Sequence, residues 1–281
     1  VLTGTILTGA DLSETNLMGV DLSGMNLSGV RLAGVDLSNE ILADTILTGA
    51  DLSETNLTGV DLSGMDLTGT ILSGADLSNV VITGTILTGA DLSDANLAGI
   101  DLSGMDLTKM KLIGADLSNA VLTETIMAGA DFRRTNLAGV DLSSWDLTGT
   151  ILSSADLTNA VLPSDYLSQN DFTSTVLDGV DLSGKDLTGS VFNIVSFKNT
   201  NLQNANLSAA DFVQVDFTKI KNKSLAGADL SHASFAHSNL IGVSLDNAIL
   251  KGSNFYNSNL SGQDFTDISN NLVSGSLFIN A

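Results

Sequence analysis

The chain has 281 residues, 43% of them hydrophobic, and no cysteine. That composition excludes disulfides and thiolate metal sites, and no apolar run approaches the ~20 residues of a membrane-spanning helix. Acidic residues outnumber basic ones by 32 to 11, a net charge of −21, which disfavours bare nucleic acid or anionic lipid as a partner and favours a cationic partner or none.

The strings ILTGADLSETNL and VDLSGMDL recur from the first residues onward. Every fifth position from Leu2 to Phe217 is apolar: 44 consecutive residues, comprising 36 Leu, six Phe, Ile82 and Met127. We call this position the centre. Two residues before it stands a small or apolar residue, such as Ala10, Thr15, Val20 or Met25. The residue just before the centre is usually Asp, Asn, Ile or Val, and Ser, Thr or Ala then Gly, Asn or Glu follow it. Two positions in five therefore face inward. A helix repeats near 3.6 and a strand at 2, so neither gives a strict five; a coil of short extended pieces joined by turns does.

The segments ADLSE, TNLMG and VDLSG resemble the A(D/N)LXX motif of the pentapeptide-repeat family. The resemblance implies an all-β fold, a right-handed quadrilateral parallel β-helix with 20 residues in each turn. The 44 centres and nine more after Phe217 give about 13 turns, roughly 60 Å at ~4.8 Å per turn. The domain reading is a single solenoid over 1–265 followed by a C-terminal cap over 266–281. Functions in the family are diverse, so the fold alone names no activity.

In chain order, residues 1–160 also align as four units of 40. One inward column alternates in size, Thr5, Met25, Thr45, Met65, Thr85, Met105, Thr125, Trp145, which predicts a widened corner or an outward Trp145. The stretch 163–170 is irregular. Asp165 and Lys185 lie one turn apart at inward positions, predicting a structural ion pair or a local outward bulge. Phe172, Phe192 and Phe212 are spaced by 20 and should stack in adjacent turns. Three residues are inserted between Phe217 and Leu225, and the insertion at 218–224 carries Lys219, Lys221 and Lys223. Loops on rigid scaffolds often carry recognition, which makes these lysines candidate partner contacts.

Acidity is concentrated just before the centres. One side reads Asn16, Asp36, Asn56, Asp76, Asn96, Asp116, Asn136, Asp156. Asp36, Asp76, Asp116 and Asp156 are candidate partner contacts, although alternation also keeps like charges from stacking ~4.8 Å apart. Specific calcium binding is not expected, because carboxylates two turns apart are too distant to share an ion. His232 and His237 follow centres by two residues and point to solvent; with no cysteine they leave too few parts for a metal or Ser/His/Asp site. No cofactor and no catalysis are expected. At the ends, Val1 and Leu2 are already in register without a cap, whereas Leu272, Val273, Leu277 and Phe278 are expected to plug the last turn. Val1, Leu2, Leu277 and Phe278 are therefore the candidate end-association residues.

The functional reading is a non-catalytic structural or protein-interaction scaffold, a rigid acidic rod that binds a protein partner or associates end to end. Two alternatives stand beside it. One is a DNA-mimicking regulator or protector of a type II topoisomerase, as in those family members that protect DNA gyrase. The other is a rod domain of a larger cell-surface protein. Acidity and absent cysteine lean towards an extracellular or cell-surface setting, though a cytoplasmic protein of this kind would look the same.

Overall fold

A computed structural model describes residues 7–281 except 109, 128, 148, 166, 264 and 266–273. The chain divides into two compact units, Val1–Val140 and Asp141–Ala281. In both, the pentapeptide turns a corner after its centre. The amide three residues on donates to the centre's carbonyl, as Val30 N does to Leu27 O at 3.1 Å and Ala50 N to Leu47 O at 2.9 Å. The residue two after the centre has positive φ, 67° at Gly49 and 56° at Glu54, as a type II turn requires. Glycine pays no Cβ penalty there and Asn tolerates the conformation, which accounts for the Gly, Asn or Glu of the motif.

The Asp or Asn before the centre closes the same corner from its side chain. Its Oδ1 accepts the backbone N–H two residues on, at 3.0 Å from Ser38 to Asp36 and 3.1 Å from Thr58 to Asn56. This is an Asx turn. Both residue types carry that oxygen, so they exchange along the chain without disturbing the backbone.

Successive turns pair in parallel through single bridges 20 residues apart. In the first unit Asp11, Arg31, Asp51, Ile71, Asp91, Lys111 and Asp131 form one unbroken ladder, and Asp36, Asn56, Asp76, Asn96, Asp116 and Asn136 another. Each side of the coil contributes one paired residue before the next corner, so among the described residues the ladders are isolated bridges with no extended strands. Among the described residues the only helical elements are two short 3₁₀ turns, Phe217–Lys219 and Lys221–Lys223.

The other two sides of the first unit pair only in twos. Asp61 bridges Val81 and Asp101 bridges Val121, while Asn26, Asp66 and Asp106 bridge Ile46, Ile86 and Ile126. Among the described residues no bridge joins Ile41 to Asp61, Val81 to Asp101, Ile46 to Asp66 or Ile86 to Asp106. The corner between these sides is lined by the alternating Thr and Met column. Thr45, Thr85 and Thr125 donate their hydroxyls to Leu22 O, Leu62 O and Leu102 O at 2.9, 2.8 and 3.2 Å, tying each threonine turn to the turn before it. Met65 and Met105 have no donor to offer and fill more height, so the ladder opens where a methionine follows a threonine. The 40-residue repeat is thus a pair of tied turns. Trp145, in the second unit, is packed inside at 5% exposure and does not turn outward.

Leucine centres fill the interior, each contributing roughly 1.5–3 kcal/mol on burial. In the second unit phenylalanines take over one column. Phe172, Phe192, Phe212, Phe235 and Phe255 stack ring on ring at 5.0–5.1 Å with interplanar angles of 4–15°. The step from Phe212 to Phe235 spans the lysine insertion, and bridges such as Asn206 to Asp229 show the register resuming beyond it.

The C-terminal segment differs from the expected cap. Leu272 and Val273 lie outside the described residues, but the chain beyond them returns to the coil. Leu277 bridges Asn254, its amide donates to Ser253 O and its carbonyl accepts from Phe255 N, both at 2.8 Å. Phe278 takes a centre and stacks on Phe255 at 5.1 Å and 8°. Leu277 consequently stands in the outward position before a centre, 43% exposed, and only Phe278 of the pair plugs the coil.

Candidate functional site

The aspartates singled out from sequence are corner caps. Asp116 accepts Ser118 N at 2.9 Å, and Asp156 accepts Thr158 N at 2.9 Å and the Thr158 hydroxyl at 2.5 Å. Asp76 accepts Ser78 N at 2.9 Å and, from the next turn, Asn96 Nδ2 at 3.0 Å. At Asp76, alternation of Asp with Asn thus supplies a donor to the carboxylate besides separating like charges. The Ser38 hydroxyl, then the Ser38 backbone N–H, lower the pKa of Asp36; the Ser78 backbone N–H leads the same effect at Asp76. Asp36 is exposed and the other three are half-buried.

Arg31 and Lys111 neutralise part of a second acidic ladder. Arg31 reaches Asp11 at 3.0 Å and Asp51 at 3.8 Å, and Lys111 reaches Asp91 at 3.2 Å. These are exposed pairs of little energetic weight, but they break up the negative potential.

The inserted loop is tightly held. Asp216 caps its first turn, accepting Thr218 N at 3.0 Å and the Thr218 hydroxyl at 2.6 Å, and Ile220 is buried at 3% exposure. Backbone bonds tie Lys221 N to Thr200 O at 2.9 Å, Asn199 N to Lys219 O at 2.8 Å and Ser244 N to Lys223 O at 2.8 Å. Lys219, Lys221 and Lys223 are all exposed. The Lys221 charge is a minor contributor to lowering the pKa of Asp181, after the Ser183 hydroxyl and backbone bonds.

Of the two outcomes expected for Asp165 and Lys185, the ion pair is not formed and an exposed local bend takes its place. Asp165 is exposed in a bend that replaces the usual corner, and its carboxylate accepts the Ser164 hydroxyl at 3.0 Å. Lys185 Nζ instead donates to Leu162 O at 3.2 Å and Pro163 O at 2.9 Å. Keeping the carboxylate hydrated costs less than burying it, and the lysine stem is long enough to reach carbonyls. Val1 and Leu2 lie outside the described residues. His232 and His237 are exposed, and among the described residues no group of three or more His, Asp and Glu could hold a metal ion.

One feature passed over in the sequence is Glu40. It stands in an inward column with Val60, Val80 and Ile100, which are buried, and its Oε1 accepts Gly19 N at 2.8 Å. Beside it a cleft of about 500 Å³ opens between residues 38–44 and 59–65, where the ladder from Ile41 to Asp61 is missing. A cleft of about 320 Å³ between 159–162 and 179–185 sits at the equivalent break in the second unit. The signal for Glu40 was legible: it is a carboxylate in an otherwise apolar column.

Corners built by Asx turns, apolar centres every five residues and bridges every 20 define a β-solenoid repeat protein. The chain belongs to the pentapeptide-repeat family, whose model matches in eight copies over residues 1–34, 25–64, 61–99, 85–123, 100–137, 125–163, 186–218 and 224–267. Among solved structures it is similar to HetL of the cyanobacterium Nostoc sp. strain PCC 7120, a pentapeptide repeat protein involved in heterocyst differentiation regulation, with 25% identity, 92% of this chain and 87% of that one covered, and a TM-score of 0.21. It is also similar to QnrB1, a plasmid-mediated fluoroquinolone resistance protein, with 16% identity, 78% and 88% covered, and a TM-score of 0.33. Rfr23 of the cyanobacterium Cyanothece 51142 shares 34% identity over 41% of this chain and 63% of its own, with a TM-score of 0.20. No curated protein sequence matches.

Proposed function

We propose that the chain is a non-catalytic protein-interaction scaffold, a right-handed quadrilateral coil that meets its partner through the lysine loop. The observation that carries this reading is the anchoring of Lys219, Lys221 and Lys223 by backbone bonds to the turns on either side. Three exposed lysines on an anchored backbone suit an acidic protein surface, and a pre-ordered loop backbone loses little entropy on binding. A second copy of this chain, with its net charge of −21, is the simplest such partner.

Self-association through the C-terminal coil is a second reading. Leu277, Phe278 and Ile279 are 43%, 41% and 49% exposed, and Phe278 presents an uncovered ring at the end of a stack. Light scattering over a concentration series separates the two. A dimer lost in the Lys219→Glu, Lys221→Glu, Lys223→Glu variant and in about 0.5 M salt supports the loop; one that survives salt but is lost in Phe278→Asp supports the end. A monomer at every concentration removes the second copy as partner in both readings.

A further inference from the structure

We propose that the cleft between residues 38–44 and 59–65 binds a primary alkylammonium, either a lysine side chain or a small amine. The chain holds its own precedent. At the equivalent break in the second unit, Lys185 reaches across the missing ladder and gives its ammonium protons to Leu162 O and Pro163 O at 3.2 and 2.9 Å. Counting by 20-residue turns, Met65 stands in the first unit where Lys185 stands in the second, and Leu42 and Ala43 where Leu162 and Pro163 stand. Of that pair the first cleft presents one, the Leu42 carbonyl, without the lysine: a bend replaces the usual corner at 162–165, whereas the regular corner at 42–45 turns Ala43 O towards the preceding turn. Leu42 O accepts Thr45 N at 3.0 Å and keeps a second lone pair, whereas Ala43 O is spent on Gly24 N of the preceding turn at 2.9 Å.

The surroundings match the same guest. Glu40, Asp44 and Asp61 line the cleft, and no cationic residue does. Glu40 Oε1 is used by Gly19 N, and Oε2 makes no hydrogen bond among the described residues. Ile41, Leu42, Val60 and Met65 supply apolar wall for a methylene stem, the arrangement by which long cationic side chains bury their stems and keep their heads polar. Charge-assisted bonds from an ammonium to carboxylate and carbonyl oxygens are the strong ones. At the next break along the first unit, between Val81 and Asp101, Val80 and Gly84 occupy the positions of Glu40 and Asp44, so the acidic lining belongs to the first cleft. The amides of Leu42 and Asp61 make no hydrogen bond among the described residues and would be free to pair with a peptide bearing the lysine. The inference is independent of the scaffold reading, since an amine could occupy this cleft in a chain that never meets a protein through its lysine loop.

The test is a titration of the full ¹⁵N-labelled chain with 1,5-diaminopentane and, separately, with the peptide acetyl-Gly-Lys-Gly-amide, with 1-pentanol as the uncharged control. Saturable shifts at Ile41, Leu42 and Asp61 are expected with an amine and not with pentanol. Glu40→Gln should weaken binding about tenfold through loss of one charge-assisted bond. Met65→Lys should abolish it, because an internal ammonium then takes the place, and Lys185→Met should create a second saturable set at Leu162 and Asp181. Binding of both probes means that the ammonium alone is read; binding of the peptide alone means that a lysine presented on a chain is the guest. Shifts that never saturate and spread over the acidic surface, or that persist unchanged in Met65→Lys, overturn the proposal. Should Met65→Lys not fold, Glu40→Gln decides: amine binding unchanged in that variant is the refuting result.

Discussion

Replacing Phe192 by leucine separates the ring stack from the rest of core burial. Leucine is the native residue in this column through most of the first unit, at Leu32, Leu52, Leu72, Leu92 and Leu112, so the coil accepts its shape. Phe192 is fully buried and stacks on Phe172 and Phe212, each at 5.1 Å with interplanar angles of 4° and 7°. Each such pair is worth about 0.5–1.5 kcal/mol beyond area burial, so Phe192→Leu should cost about 1–3 kcal/mol. Phe192→Ala adds a cavity and should cost about 3–5 kcal/mol. Urea unfolding gives the difference if the slope is unchanged. Because solenoids can open locally, hydrogen exchange at the Val191 and Phe192 amides, both bonded to neighbouring turns, gives the local value. A leucine variant as stable as the parent would show that the stack adds nothing beyond area. One as damaged as the alanine variant would show that ring volume, not stacking, sets the cost.

Leu102 is 1% exposed in the middle of the first unit, and Leu102→Asp buries an unpaired carboxylate; a loss above about 4 kcal/mol is expected, seen as failure to fold by circular dichroism. Glu40→Val restores the apolar column and should stabilise by about 1 kcal/mol net, burial outweighing the lost bond to Gly19, as read by thermal melting. Acid should destabilise the coil: hydrogen bonds hold the carboxyls of Asp36, Asp61, Asp66, Asp76 and Asp101 below their usual range. Their contribution is complete above the unfolded carboxylate pKa near ~3.9 and is lost as pH falls through the folded values. The melting temperature should therefore drop below about pH 4, measured in about 0.5 M salt so that relief of the −21 net charge does not mask the effect.

The centres and the inward column were legible because burial repeats with the chain's own period, and the phenylalanine spacing agrees with the 20-residue turn that the family resemblance implies. What the pattern hid was the work done by polar atoms. Asp and Asn looked like a surface decoration, whereas Asp36, Asp76 and Asn56 each close a corner; periodicity reports which way a residue faces but not which amide it caps. Lys185 was misread for a related reason. Column arithmetic put it beside Asp165, but the bend at Ser164 and Asp165 turned the carboxylate out and left backbone carbonyls as the nearer acceptors. Leu277 was read as a plug because the five-residue motif lapses before it, and only the bridge to Asn254 shows the coil resuming one residue out of the expected role.

The same polar bookkeeping explains where this coil can bind anything. Two sides of the first unit carry unbroken ladders, with their backbone donors and acceptors consumed by the turns above and below. The other two spend theirs only within each tied pair, because a threonine hydroxyl points back to the preceding turn and the following methionine offers no donor. Openings must then recur every 40 residues on those sides, and their chemistry is set by whichever residue replaces the methionine. A lysine at 185 bridges the opening from within; a methionine at 65, with a glutamate at 40, leaves it unbridged and negatively lined. Recognition in such a coil thus needs no departure from the repeat, only a change of one inward side chain from donor to non-donor. Shifting Thr45 to methionine should extend the breach by untying Leu22, and protection of the Ile46 amide, bonded to Met25 O at 2.9 Å, should fall in hydrogen exchange, whereas unchanged protection would mean that the backbone ladder holds the pair of turns without the threonine.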